Sequence, residues 1–288
     1  MIFLRLFSHR LFSRQWWKTT LLVVLAMGVC VRLGIWQLDR LDHRRSFNAR
    51  VEAQVKQPRL VLEGAALEAD LQAMEYRQVI VTGAYDQNAE VALRNQAWNN
   101  LIGANLVTPL RIANSGKVIL VNRGWIPLED FTSNDWHKFQ EPGEITVRGI
   151  IRQSQTRPEI GWRKDVIPGQ GEAPLKAWNM INVAGIDSQL PFDLLPVYIQ
   201  QAPNSAWIGM PYRSLPKVEL SEGPHLGYAI QWFIFATILG IGYPIFIRKE
   251  EMSAKSRDLP RVTSTTDHIE TTSRFIQNVV GGEWTGKG

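Results

Sequence analysis

A histidine at the start of the second long apolar run is the residue of this chain whose type and place best suit chemistry. It opens the string Pro224-His225-Leu226-Gly227-Tyr228-Ala229-Ile230-Gln231-Trp232-Phe233. Imidazole is a common metal ligand, and a titratable group at the mouth of a membrane helix is costly unless it is used. At helical spacing, His225, Tyr228 and Trp232 share one face with Ala229 and Ala236. The small residues on that face favour close approach of a partner helix or of a flat ligand.

The first apolar run carries a second set of candidate residues near its end. Arg32, Trp36 and Arg40 follow one another at intervals of one helical turn. Together with a histidine they suit a haem, because imidazole ligates iron, arginine pairs with propionates and aromatic rings flank a macrocycle. A simpler interpretation stays open: a histidine that only caps a helix, arginines that snorkel to the interface, and aromatics of a membrane belt.

Two segments of the sequence are long and apolar enough to hold these residues in a membrane. The run 19–38 is apolar apart from Arg32 and Gln37, and Tyr228 to Ile247 carries no charge. About 20 residues make a helix of roughly 30 Å, which crosses a bilayer. The predicted divisions are an inner segment 1–18, a transmembrane helix 19–38, an outer domain 39–224, a transmembrane helix 225–247 and a disordered inner tail 248–288.

The orientation follows from the cations near the second span. Arg248, Lys249, Lys255 and Arg257 follow it closely, which predicts that its C-terminal side is cytoplasmic. With two spans, both termini are then inside and the middle domain is outside. We expect a bacterial plasma membrane, with the mitochondrial inner membrane as the alternative. The lipid bilayer is thus a partner, and the net charge of +5, dominated by the membrane flanks, indicates no nucleic-acid partner.

The outer domain has the sequence pattern of a β-structure. Short apolar runs separated by turn residues predict strands, and residues 65–74 have the spacing of a helix. A further helical turn is expected at 183–189 and an irregular loop at 155–174. The predicted strands are 77–83, 90–97, 104–112, 117–125, 144–151, 178–182 and 197–201. These features predict an α+β membrane protein in which two transmembrane helices flank a small antiparallel sheet or partly closed barrel. Cys30, the chain's one cysteine, lies in the first span, so the outer domain has no disulfide.

The outer domain lacks the common signatures of enzymes. It contains no H-E-x-x-H, no P-loop, no nucleophile elbow and no C-x-x-C, which argues against catalysis. The strip Arg123-Gly124-Trp125 has two interpretations, a buried turn in which Gly permits positive φ or a direct contact with a cofactor.

At this point the sequence resembles the surfeit-locus cytochrome c oxidase assembly proteins of bacteria and mitochondria. The resemblance runs from the first span through the second, and the order and spacing of its strings make it specific. The strings are 34–40 (GIWQLDR), 75–86 (EYRQVIVTGAYD), 106–110 (LVTPL), 121–127 (VNRGWIP) and 225–233 (HLGYAIQWF). The family usually has Asn before the histidine, whereas this chain has Pro224.

The resemblance implies an assembly factor rather than an enzyme. It implies that the chain binds haem a between its two membrane helices and helps to place it in the catalytic subunit of the oxidase, with haem A synthase as a possible second partner. The haem-associated histidine of the family corresponds to His225, which makes it the expected iron ligand. Two other functions stay open: a membrane-anchored binding or sensing module without haem, and an extracytoplasmic enzyme with an unrecognised site.

Overall fold

The computed structural model describes residues 13–133, 135–157, 165–169 and 172–257. The helices are α1 (Trp17–Val55), α2 (Leu128–Ser133), α3 (Val183–Asp187) and α4 (His225–Arg257). The strands are β1 (Leu60–Val61), β2 (Gln78–Tyr85), β3 (Val91–Trp98), β4 (Leu101–Ile112), β5 (Val118–Pro127), β6 (Glu144–Gln153), β7 (Ala177–Trp178) and β8 (Leu194–Gln201). The chain forms two compact units: one combines the segments up to 41 and from 223, and the other is the outer domain 42–222.

Both long helices are of the kind that crosses a membrane. Only 11 % of the most apolar stretch of each is buried, so neither is the core helix of a soluble domain. Apolar surface of this extent is stable in lipid rather than in water. The predicted α+β membrane protein, with two apolar helices flanking a β-rich domain, is confirmed. Each helix also extends beyond its predicted span: α1 runs on to Val55, and residues 248–257 of the predicted tail belong to α4. The rest of that tail and residues 1–12 lie outside the described residues.

Within the first unit, small residues let α1 and α4 pack closely. A methyl group added at Gly34 would lie 2.8 Å from the ring of Phe233, and one added at Gly240 would lie 3.0 Å from Cε of Met27. Near the other end of the pair, the Tyr243 hydroxyl is hydrogen-bonded to the hydroxyls of two threonines, Thr19 at 2.8 Å and Thr20 at 2.9 Å. Glycine contacts of this kind are how membrane helices gain van der Waals contact without a hydrophobic driving force.

The outer domain is a partly closed barrel, as expected. Its eight strands lie in the order β1-β2-β6-β8-β5-β4-β3-β7, and β2 also pairs with β4, which closes a ring of five strands. The sheet is not purely antiparallel, however, because β1–β2, β3–β7 and β5–β8 are parallel pairs. β5 and β8 are joined by a long crossover that contains α2, β6, β7 and α3, and parallel neighbours require such a connection.

The barrel is filled by branched aliphatic side chains from its inner face. Val81, Leu110, Val121, Val147 and Ile199 are among the residues of the main cluster, each 1 % exposed or less. At about 25 cal/mol per Å² of apolar surface, burial of this kind is the dominant stabilising contribution in a domain without disulfides.

Two local predictions in the outer domain were wrong in detail. Residues 65–74 form two short 3-10 helices, Gly64–Glu68 and Leu71–Met74, rather than one α-helix. The Asp70 side chain accepts hydrogen bonds from the first amides of the second helix, so it begins a new helix where continuation was expected. Of the predicted strand 178–182, only Trp178 is paired, and Asn182 instead caps α3.

Candidate functional site

His225 lies at the first position of α4, where its imidazole reaches across to α1. The Pro224 carbonyl accepts the first helical hydrogen bond, from the Tyr228 amide at 3.1 Å. Pro224 therefore occupies the N-cap, where a missing backbone N–H leaves no helical bond unmade. The departure from the Asn of the family is compatible with a regular helix start.

The side chain of Gln37 fixes the orientation of the His225 ring. Nδ1 of His225 lies 2.9 Å from Oε1 of Gln37. An amide oxygen only accepts, so Nδ1–H is the donor of this bond, and Nε2 is the nitrogen left for another partner. Holding one ring nitrogen in this way is the usual means by which proteins orient a histidine that ligates a metal through the other.

The Nε2 side of the ring is bordered by glycine. Gly223 has a φ of +70°, and a methyl group placed on it would lie 3.6 Å from Nε2. Among the described residues, no side chain hydrogen-bonds to Nε2. His225 as a whole is half-buried, and the bond to Gln37 orients its ring. The donor set therefore fits an axial haem ligand: an imidazole held by an amide on one nitrogen, with no side chain of the described residues hydrogen-bonded to the other.

The predicted site residues of α1 lie away from His225, and those of α4 follow it along the same helix. Arg32 and Arg40 are exposed, and Trp36 keeps 45 % of its surface exposed, on the face of α1 opposite Gly34. On α4, Trp232 is half-buried and stacks edge-on against Phe235 at 5.9 Å. Tyr228 is 49 % exposed and lies at the flank. The structure thus places His225 with Gln37 and leaves the two arginines on another surface.

Gln37 is the site residue that the sequence analysis did not identify. It was visible only as a polar exception within an apolar span, next to Trp36 in the string GIWQLDR. A polar side chain inside a membrane segment is rare enough to indicate a partner or a function. That signal pointed to Gln37, but not to the histidine with which it pairs.

In the outer domain, a hydrogen-bonded latch holds the segment that precedes α4. Arg44 donates to the carbonyls of Glu219 and Ser221, and Asn48 donates to Leu220 O at 2.7 Å. Arg45 and Glu222 form a two-bond ion pair, with N–O distances of 2.8 and 2.9 Å. Hydrogen bonding from Arg45 lowers the pKa of the Glu222 carboxyl. Because Glu222 directly precedes Gly223-Pro224-His225 in the chain, the latch holds the segment that leads to α4.

The strip Arg123-Gly124-Trp125 is buried and structural, but it lies inside strand β5, at a register shift against β4, rather than in the expected turn. The Arg123 guanidinium is fully buried, with Nη1 2.7 Å from Glu90 and Nη2 3.1 Å from Glu141. Burial alone lowers the pKa of the Arg123 guanidinium. The interactions with Glu90, Tyr85 and Glu141 outweigh the effect of burial, so the pKa is raised. Gly124 has a φ of +127°, and a side chain there would collide with the Tyr212 carbonyl. The ring of Trp125 stacks on that of Tyr212, with centroids 6.1 Å apart.

Comparison with known proteins agrees with the resemblance found in the sequence. The model of a family described as the SURF1 family matches residues 24–237. The chain belongs to the SURF1 family. This membership confirms the predicted surfeit-locus family and covers Gln37, the whole outer domain and His225 in one match.

The SURF1 relatives are distant but match over most of their length. A SURF1-like protein of Monosiga brevicollis is 28 % identical over 82 % of this chain and 88 % of its own. Surfeit locus protein 1 of Homo sapiens is 26 % identical over 75 % of this chain and 72 % of its own. A SURF1-like protein of Caenorhabditis briggsae is 23 % identical over 77 % and 73 %, respectively. The chain is thus similar to proteins of this family from three organisms over three quarters or more of its length.

Proposed function

We propose that this SURF1-family chain is an assembly factor for a haem-copper terminal oxidase and that it binds haem a through Nε2 of His225. The single observation that supports the haem site is the contact between His225 Nδ1 and Gln37 Oε1 at 2.9 Å. It orients the imidazole and leaves Nε2, on the other side of the ring from Gln37, as the nitrogen offered to a metal. When bound, the haem supplies an iron centre for that nitrogen; the chain supplies the axial ligand and its orientation.

The packing of the helices restricts where a macrocycle fits. At Gly34 the helices are already in contact with no room for a methyl group, so a haem does not fit between them at that level. The site we propose is therefore at the His225 end of the pair, beside Nε2, with Trp232 and Tyr228 on the same helix as its aromatic neighbours. Arg32 and Arg40 face away from α4 and are proposed as interfacial anchors, and a role in propionate binding remains a prediction for variants to test.

The partners and the orientation belong to the same proposal. The receiving partner is the catalytic subunit of cytochrome c oxidase, and the donor is haem A synthase. The cations that follow the second span support a topology with both termini on the inner side, in a bacterial plasma membrane or the mitochondrial inner membrane. The chain then acts as a carrier that holds and releases its ligand rather than as an enzyme.

Purification after co-expression with the haem A synthesis enzymes tests the ligand assignment. We expect a haem a absorption spectrum from the full chain, its loss in His225→Ala, and its retention in the control His137→Ala, which changes an exposed histidine of the outer domain. Normal haem content and an unchanged spectrum in His225→Ala would show that another residue is the ligand. A wild-type protein that carries no haem under these conditions would support a haem-free binding module instead.

A further inference from the structure

The tip of the β3–β4 hairpin presents large aliphatic side chains to solvent. Leu101 is 62 % exposed and Ile102 is 66 % exposed, directly after the turn residues Asn99 and Asn100. Both asparagines have positive φ, 48° and 65°, which makes a tight two-residue turn. Ile208, which is 92 % exposed, lies four residues before Tyr212. A folded soluble domain has no reason to place aliphatic residues at the most exposed point of a hairpin.

A layer of stacked aromatic rings lies directly behind these aliphatic residues. The ring of Trp98 stacks on Tyr212 with centroids 5.5 Å apart, and Tyr212 stacks on Trp125. The strand register confirms that the stack adjoins the hairpin tip, because Trp98 pairs with Leu101 and Gly103 pairs with Pro127. Aliphatic side chains at the tip, with Trp and Tyr behind them, match the order from acyl chains to headgroups in a bilayer interface.

We propose that this hairpin tip, defined by Trp98, Leu101, Ile102, Ile208 and Tyr212, inserts into the acyl–headgroup boundary of the lipid bilayer. The chain from Asn95 to Leu110 carries no charge, so the hairpin itself brings no ion into the membrane. The bilayer is favoured as the occupant over a protein because the domain 42–222 is continuous at both ends with a membrane-spanning helix. The domain is therefore tethered to the bilayer at both ends, and the insertion is intramolecular in character.

The neighbouring charges indicate which lipids are needed. α2 begins next to the tip, after Pro127, with the acidic residues Glu129 and Asp130 in its first turn. The tip itself brings no cation, so binding depends on apolar burial rather than on attraction to anionic headgroups. Insertion is thus expected into phosphatidylcholine alone, and it is expected to change little with ionic strength.

The two ends of β4 allow a matched test in the full-length protein. An environment-sensitive nitrobenzoxadiazole probe is attached to Leu101→Cys or to Ser115→Cys, each in a Cys30→Ser background and in phosphatidylcholine liposomes. Ser115 lies in the hairpin turn at the other end of β4, about 35 Å away at 3.3 Å per residue. We expect a blue-shifted emission at position 101 that is quenched by lipids bearing a nitroxide on the acyl chain, and a water-like, unquenched emission at 115.

Two results would overturn the proposal. The first is equal, water-like emission at both positions. The second is a blue shift at 101 that lipid-borne nitroxides do not quench, which would mean that a protein surface, such as a second copy, covers the tip. A third probe, at Ile208→Cys, separates lost insertion from misfolding. The double substitution Leu101→Asp/Ile102→Asp should abolish quenching of this probe by lipid-borne nitroxides. It should leave the near-ultraviolet circular dichroism of Trp125 and Trp178 unchanged, because the fold is intact. Quenching that survives this double substitution also counts against the proposal.

Discussion

Replacing Arg123 by Met removes the cation from the buried network of the barrel and keeps a side chain of similar length. Glu90 and Glu141 would then lose the guanidinium that lies 2.7 and 3.1 Å from them, while their side chains are only 5 % and 12 % exposed. Breaking a buried pair from one side leaves uncompensated charge and costs about 3–5 kcal/mol. For a domain of this size each kcal/mol lowers Tm by about 2–4 °C, so we expect a decrease of about 6–20 °C.

The assay for Arg123→Met is thermal unfolding of the full chain, followed by near-ultraviolet circular dichroism of the buried tryptophans. The matched control is Arg111→Met, which breaks a pair with Asp86 in which the arginine is 53 % exposed. Such a surface pair contributes about 0–1 kcal/mol. Arg213 pairs with the same Glu141, at 2.7 Å, so Arg123→Met/Glu90→Gln should be more stable than Arg123→Met alone. If Arg123→Met lowers Tm no more than Arg111→Met does, the network is not an anchor of the barrel and this reasoning fails.

Three further predictions concern the membrane unit and the latch. Gln37→Leu should weaken haem binding about 10- to 100-fold in a spectral titration, because the His225 ring loses its orienting partner. The control is Gln231→Leu, which changes an exposed glutamine of α4. Equal haem affinities of the two variants would refute the role of Gln37. Gly34→Val should destabilise the helix pair by about 1–3 kcal/mol in thermal melts in detergent. Gly28→Val should not, because Gly28 has open space around it. Equal losses of stability in the two variants would contradict the contact between Gly34 and Phe233. The lowered pKa of Glu222 means that its ion pair stabilises the latch above the ordinary pKa of 4.5 and is lost as pH falls through the lowered value. Amide exchange of residues 219–223, corrected for intrinsic pH effects, should therefore accelerate in the wild type only when the pH falls below the lowered pKa of Glu222. In Glu222→Gln it should be fast already at pH 7.

The sequence predicted those features that depend on local pattern. Two apolar runs of membrane length became α1 and α4, and the turn residues 114–116 closed the hairpin between β4 and β5 as expected. His225 was recognisable because a titratable group at the start of an apolar helix is unusual. These features depend on residues that are near one another in the chain.

The features that could not be predicted from the sequence depend on which helix faces and which strands contact one another. Arg32, Trp36 and Arg40 share a helix face by spacing, but spacing does not tell which face packs. Gly34 determines which face of α1 packs against α4, because the absence of a side chain at this position allows contact with Phe233. The burial of Arg123 likewise depends on Glu90, which is distant in the sequence. The closure of β2 on β4 and the parallel pairing of β5 with β8 are also long-range contacts with no local signal.

The most direct test of the central claim is to detect the bond between the histidine nitrogen and the iron. Full-length protein with ¹⁵N-labelled histidine, loaded with haem a, can be measured by electron spin echo envelope modulation. The account predicts hyperfine coupling to a directly bound ¹⁵N that disappears in His225→Ala and persists in His137→Ala. A haem-loaded protein without such coupling, or a coupling that survives in His225→Ala, would contradict the assignment of His225 as the iron ligand.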